Sequence, residues 1–107
     1  MPKEEGSELV QRIRELGASG AQLGELDLKN ASLANAELNG LDFSGVDLAG
    51  ADLAGASLFK ANLRGADLAG ANLEDAEMTG ADLSEANLQD ARAARVGLEM
   101  ASLRGAN

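Results

Sequence analysis

The chemistry open to this chain is limited by its residue types. Its 107 residues include no His and no Cys, which excludes a histidine base, a thiolate nucleophile and thiolate metal ligands. The three lysines, Lys3, Lys29 and Lys60, are expected on the N-terminal tail or on exposed turns, where the amine keeps its charge. Neither a GxxxxGK(S/T) nor a GxGxxG motif occurs, so nucleotide binding has no support. We therefore predict a protein that is not an enzyme and uses no cofactor.

Carboxylates are the remaining groups that could do chemistry, because the net charge is -9, from 18 acidic and 9 basic residues. Two carboxylates beside a pocket can hydrolyse a glycosidic bond, and a group such as Glu74, Asp75 and Glu77 could hold calcium. No EF-hand spacing occurs and the turn-rich sequence predicts no pocket, so we expect a solvated acidic surface without a metal. This charge disfavours direct nucleic-acid binding and fits either solubility or a basic partner.

The side chains are positioned by a repeat of five residues. From residue 21 the chain reads AQLGE LDLKN ASLAN AELNG LDFSG and continues without an insertion to residue 107. The third residue of each unit, its centre, is large and apolar except at Ala93, and the first is usually Ala. A period of five fits neither a helix, at 3.6, nor a strand, at 2. The chain must therefore turn once in every unit.

The fifth residue of each unit indicates how the chain turns. It is Gly, Asn or Asp in 12 of 17 units, which suits the positive φ of the third residue in a type II turn. Right-angle turns close a square after four units, so we predict coils of 20 residues that pair like parallel strands about 4.8 Å apart. Centres 20 residues apart then stack inside the solenoid, in columns that begin at Leu23, Leu28, Leu33 and Leu38 and end at Leu103, Leu88, Ala93 and Leu98.

The tandem A-(D/N)-L-x-x units resemble the pentapeptide-repeat family across residues 21–107, over 17 uninterrupted units. The resemblance implies an all-β fold, a right-handed quadrilateral β-helix of about four coils. It says less about function, since many members have no known activity and a few resemble DNA in shape and charge and bind DNA gyrase. We expect a protein–protein interaction or scaffold module of unknown partner. The alternatives are an acidic DNA mimic that binds and modulates DNA gyrase, and a structural element without a partner.

Outward-facing positions supply candidate contact residues. Asp27, Asp47 and Asp67 share one column of second positions and stack like charges at the coil spacing. Short Asp side chains can bond turn N–H groups, or the column can form an acidic strip for a basic partner, and the sequence leaves both open. Phe59 and Met100 are expected to be exposed apolar side chains, either without a role or as a contact for a partner or a second copy.

The two ends of the solenoid are expected to differ. Residues 1–20 should form a tail and a helix over 7–16 that caps the first coil of the solenoid domain, residues 21–107. The helix is indicated by Leu9, Ile13 and Leu16 at helical spacing. Ser7, before them, is the candidate N-cap, and Gly17, after them, is the candidate C-cap.

The last coil has no cap of this kind in the sequence, so Val96, Leu98 and Leu103 form a candidate end-to-end interface of a homodimer. The first residues, MPKEEGSELV, lack the basic and apolar stretches of a secretion signal. No segment approaches the roughly 18 apolar residues of a membrane span. We expect a cytoplasmic protein that does not contact membranes.

Overall fold

A computed structural model describes residues 6–18, 23 and 26–107 of the chain. One helix, α1 (Gly6–Ala18), precedes a solenoid. Across the described residues the solenoid is paired through 11 isolated parallel bridges, and each joins a second-position residue to the residue 20 positions later, from Ser32 with Asp52 to Asp82 with Ser102. This confirms the coil of 20 residues. The bridges do not lengthen into strands because the chain turns again after a few residues.

A turn with positive φ at its third residue forms in every unit from 26–30 onward. All fifth-position residues from Asn30 to Gly105 have positive φ, eight of them glycines and eight not. The centre carbonyl accepts the next unit's first N–H, as from Ala31 N to Leu28 O at 3.1 Å. The type II turn predicted from the fifth position is therefore confirmed, and it holds even where Lys60 (φ 58°) occupies the strained position.

Three backbone hydrogen bonds per unit join each coil to the next. A centre N–H donates to a second-position carbonyl (Leu33 to Asp52, 2.8 Å), and a fifth-position N–H donates to a fourth-position carbonyl (Asn35 to Ala54, 2.8 Å). In the opposite direction, the N–H of Asp52 donates to the first-position carbonyl of Ala31, at 2.9 Å. This ladder satisfies the backbone without long strands.

The core consists of the centres and first positions, as the repeat predicts. Phe43 and the leucines above and below it are fully buried. The C-terminal coil differs, because Leu98 is only half-buried, Ala93 is exposed and Leu103 is 45% exposed. The expectation that every centre lies inside is thus wrong for this coil, since no further coil covers it among the described residues.

Helix α1 packs over the first coil through Leu9 and Ile13, both buried. It is longer than residues 7–16, so the predicted caps are wrong. Ser7 lies inside the helix, one residue after its start. Gly17 also lies inside it and does not have the positive φ of a C-cap. A Cβ there would lie 2.5 Å from Leu41 Cδ2, so a larger residue would have to displace the Leu41 side chain. Among the described residues no helix has the length and apolarity needed to cross a bilayer.

Candidate protein-binding surface

Second-position carboxylates and amides hold the turns that follow them. In each case the side-chain oxygen Oδ1 accepts the backbone N–H two residues later, an arrangement that stabilises the turn locally. Aspartate and asparagine do this equally well, with distances of 2.9–3.1 Å for Asp42, Asp47, Asp52, Asn62, Asp67, Asn72, Asp82 and Asn87. The local role of these residues is therefore shown, and only one oxygen of each aspartate is needed for it.

Serine hydroxyl groups stabilise the ionised form of two of these aspartates. The Ser44 hydroxyl and N–H both donate to Asp42 Oδ1, which lowers the pKa of Asp42. Ser84 acts in the same way on Asp82, with a smaller contribution from the charge of Arg64, so the pKa of Asp82 is also lowered. Hydrogen bonds to a carboxylate favour its charged form, so these side chains stay ionised at neutral pH.

The predicted acidic column is brought together in part. Asp47 and Asp67 are bridge partners on adjacent coils, and Asn87 continues the column, donating from Nδ2 to Asp67 Oδ1 at 3.4 Å. Asp27 is exposed on the same face, but no bridge among the described residues joins it to Asp47. The neighbouring face adds Asp52 beside this column. Like charges therefore stand about one coil spacing apart on one face, at Asp47 and Asp67, whereas Asp52 on the next face is bridged to the uncharged Ser32 and Asn72.

Between these carboxylates the surface carries only small side chains. The outward positions of residues 46–55 and 66–72 are Asp, Asn, Ala or Gly, and no lysine, arginine or bulky side chain lies among them. The signal in the sequence is the Ala-Gly pair at fourth and fifth positions, whose glycine also serves the turn. We name this patch the smooth acidic surface: Asp47, Ala49, Gly50, Asp52, Ala54, Gly55, Asp67, Ala69, Gly70 and Asn72.

At the level of these two coils, the other two faces carry larger side chains. Phe59 is 42% exposed, and Lys60 Nζ lies 5.2 Å from the centroid of its ring. Arg64 pairs with Glu85 at 3.2 Å. Met100 is 91% exposed but lies two coils beyond Phe59, so the structure does not join the two predicted apolar contacts into one patch.

Arginines and carboxylates form a network where the last coil meets the one before it. Arg95 Nε lies 2.7 Å from Asp75 Oδ1, and this contact lowers the pKa of Asp75. Arg92 pairs with Glu74, which also lies 3.9 Å from Arg95. These contacts give Glu74 and Asp75 a role in joining coils. No group of three or more acidic side chains is placed to hold a metal ion anywhere in the described residues.

The predicted end-to-end interface lies on the open side of the last coil. Val96 and Leu98 are half-buried and Leu103 is exposed. They line an apolar cavity of about 90 Å³. Its walls are completed by core and terminal side chains from all four faces: Leu73, Met78, Leu83, Leu88, Ala91 and Ala93.

Comparison with known proteins agrees with this architecture. The family model for pentapeptide repeats matches eight copies, over residues 19–55, 27–65, 56–92 and 71–107. A pentapeptide repeat protein from the thylakoid lumen of Arabidopsis thaliana is 34% identical with a TM-score of 0.69, and the match covers 76% of this chain and 60% of that one. Such relatives imply a right-handed quadrilateral β-helix. None of the curated proteins compared with the sequence matches it.

Two proteins of the cyanobacterium Nostoc also match. HetL, a pentapeptide repeat protein involved in heterocyst differentiation regulation, is 35% identical with a TM-score of 0.39, over 80% of this chain and 48% of HetL. A second Nostoc pentapeptide repeat protein is 33% identical with a TM-score of 0.40, over 91% of this chain and 73% of that one. This chain thus spans about three fifths of the Arabidopsis protein and about half of HetL.

Proposed function

The chain belongs to the pentapeptide repeat proteins, and from this premise we propose that it is a non-enzymatic module that binds another protein through the smooth acidic surface. The observation that carries the proposal is the combination of surface carboxylates with small side chains on two adjacent faces. Asp47, Asp52 and Asp67 each use Oδ1 for a turn. The charge of each remains at the surface, where a partner can reach it.

The shape of this surface favours a broad contact with a basic partner. Ala49, Ala69 and the glycines beside them leave no long side chain to be immobilised on binding, so the entropy cost of ordering is small on this side. The coil ladder holds the backbone of the surface through hydrogen bonds such as Gly50 N to Ala69 O, at 2.8 Å. A row of lysine or arginine side chains spaced along an extended or helical partner would complement it.

The proposal is tested by removing charge without removing the turn bonds. In the double variant Asp47→Asn/Asp67→Asn, the amide oxygen can keep the bond to the turn N–H, as Asn62 and Asn87 do elsewhere. We expect proteins enriched on the immobilised wild-type chain to be lost from the double variant. The matched control, Asp42→Asn, changes one charge on another face and should retain them. Equal enrichment on all three chains would contradict the proposal.

A second candidate is a surface that imitates DNA and binds a DNA-handling enzyme such as DNA gyrase. Residues 21–90 carry 13 acidic and 3 basic side chains, ten negative charges net. At about 4.8 Å per coil, these 70 residues span about 17 Å, or one charge per about 1.7 Å, which is the value for duplex DNA. Inhibition of gyrase supercoiling by the wild-type chain, relieved in the double variant, would support this candidate. No inhibition at high micromolar concentration would exclude it.

We further propose that two copies associate end to end at the last coil. Its edge offers both donors and acceptors, since within the described residues the N–H groups of Leu98 and Leu103 and the carbonyls of Val96 and Ala101 take no hydrogen bond. A two-fold axis beside Met100 would place each donor opposite an acceptor of the second copy and would bury the exposed leucines. Light scattering at tens of micromolar should give a dimer mass. A monomer mass would refute this association.

A further inference from the structure

The first coil presents an unpaired strand edge beside α1. In later coils the second-position N–H and carbonyl and the fourth-position carbonyl are bonded to the preceding coil, as Asp52 and Ala54 show. The equivalent groups on two adjacent faces of the first coil take no hydrogen bond among the described residues. They are the N–H groups of Ser32 and Glu37 and the carbonyls of Ser32, Ala34, Glu37 and Asn39, and all four residues are exposed.

This edge forms one wall of a groove whose other wall is α1. Val10, Gln11 and Arg14 of the helix face Ser32 and the turn that follows it across a depression of about 500 Å³. A second depression of about 260 Å³ continues past Glu37 to Asn39 and Leu41, and Arg14 and Glu37 line both. The groove therefore follows the open edge around one corner of the solenoid.

From this geometry we propose that the groove binds an extended peptide segment of a partner protein, which adds one strand to the open edge. In the register of the later coils, the segment would donate four backbone hydrogen bonds and accept two, one for each unpaired group. An exposed strand edge is a general template for such pairing. The segment must turn one corner between the two faces, so it needs a glycine or asparagine at that point.

The charges in the groove indicate an uncharged occupant. Arg14 Nη1 and Glu37 Oε2 lie 3.9 Å apart, and among the described residues they are the charged side chains that line the two depressions. A charged occupant would be attracted by one of them and repelled by the other. The rest of the polar lining is neutral, from Gln11, Asn35 and Asn39. The chemistry that fits is an extended segment of small and amide-bearing residues with glycine at the turn, because Leu9 and Ile13 of α1 already cover the core position that a large centre residue would need.

The opposite edge of the solenoid is suited to a different occupant. There the core itself is open, with Leu103 45% exposed, so a single strand would leave apolar side chains in water. At the first coil, Leu9 and Ile13 of α1 already cover the core, so only the backbone hydrogen-bonding groups of the edge remain unpaired. A peptide one strand wide therefore fits the groove beside α1, independently of whether the smooth acidic surface binds a partner.

The test uses a defined probe, the peptide ANAAGANAAG with acetylated and amidated ends and a fluorescent label. We expect saturable binding to the full chain by fluorescence anisotropy. In NMR spectra of the same complex, the amide signals of Ser32 and Glu37 should shift and exchange more slowly with solvent, and those of Leu98 and Leu103 should not. A probe methylated at the nitrogens of its third and eighth residues loses two donors and should bind about 30-fold more weakly, at about 1 kcal/mol per net hydrogen bond.

A matched pair of variants tests the edge from the protein side. Ser32→Pro removes an N–H that is unbonded in the free protein, so it should weaken probe binding about fivefold without lowering the unfolding midpoint. Ser32→Ala keeps the N–H and should bind as the wild type does. Absence of saturation up to millimolar probe, equal binding of the methylated probe, or shifts confined to residues 93–105 would each overturn the proposal. The methylated probe decides the matter if Ser32→Pro fails to fold.

Discussion

Ala93 is the one centre residue too small for its column, and replacing it with leucine should stabilise the last coil. The apolar cavity beside it measures about 90 Å³. At about 24 cal/mol per Å³, filling it completely would contribute about 2 kcal/mol, and three added carbons at about 0.8 kcal/mol each give the same figure. Ala93 is exposed and the cavity opens to solvent, so we expect about half of this, about 1 kcal/mol.

Hydrogen exchange can locate that gain, because the ends of a repeat array open before its centre. Leu73 N and Asp75 N donate to carbonyls of the last coil, Arg92 O at 2.6 Å and Ala94 O at 3.0 Å. In Ala93→Leu both amides should exchange about fivefold more slowly. The control Ala94→Leu makes the same change one residue later, on the outside, and should alter neither amide. Unchanged exchange in Ala93→Leu, or equal slowing in both variants, would refute the cavity argument.

Further predictions concern the core, the turns and the carboxylates. Leu63→Ala should cost about 2–5 kcal/mol of unfolding free energy in urea titration, and Leu103→Ala, in the same column but 45% exposed, under about 1. Gly70→Ala should cost about 1 kcal/mol in the same assay, since φ is 69° and an added Cβ meets nothing within 4 Å. Folding lowers the pKa of Asp42, so its contribution is present above about pH 3.9 and lost as pH falls through the lower folded value. Acid titration of Ser44→Ala should show a smaller loss over that interval.

The architecture was predictable because one short-range rule recurs. A centre that must be buried and a fifth residue that tolerates positive φ determine the turn, the 20-residue coil and the four columns. The structure confirms these down to the partners of each bridge. The positive φ of residues such as Lys60 and Arg95 was harder to predict from the sequence, because neither residue type favours this conformation. Their neighbours in the ladder impose the conformation, which shows tertiary context overriding local preference.

The helix boundaries and the surfaces were less accessible from the sequence. Ser7 and Gly17 have the chemistry of caps, yet the helix continues past both positions. Leu41 of the solenoid approaches Gly17 closely, a contact between residues far apart in the chain. The groove beside α1 has the same origin. The orientation of the helix on the coil decides which edge groups stay open, and that follows from packing between two elements and not from either element's pattern.

The choice between Asp and Asn at second positions separates what the fold requires from what a partner requires. Both residue types make the same bond to the turn, as Asp67 and Asn87 show in one column. The fold therefore has no need for charge at Asp47 and Asp67, and their adjacent charges oppose it by a few tenths of a kcal/mol. We expect Asp47→Asn/Asp67→Asn to be as stable as the wild type or slightly more so in urea titration at low salt, with the difference reduced at 1 M salt. If the double variant were markedly less stable, the carboxylates would be structural, and the argument that they serve a partner would lose its basis.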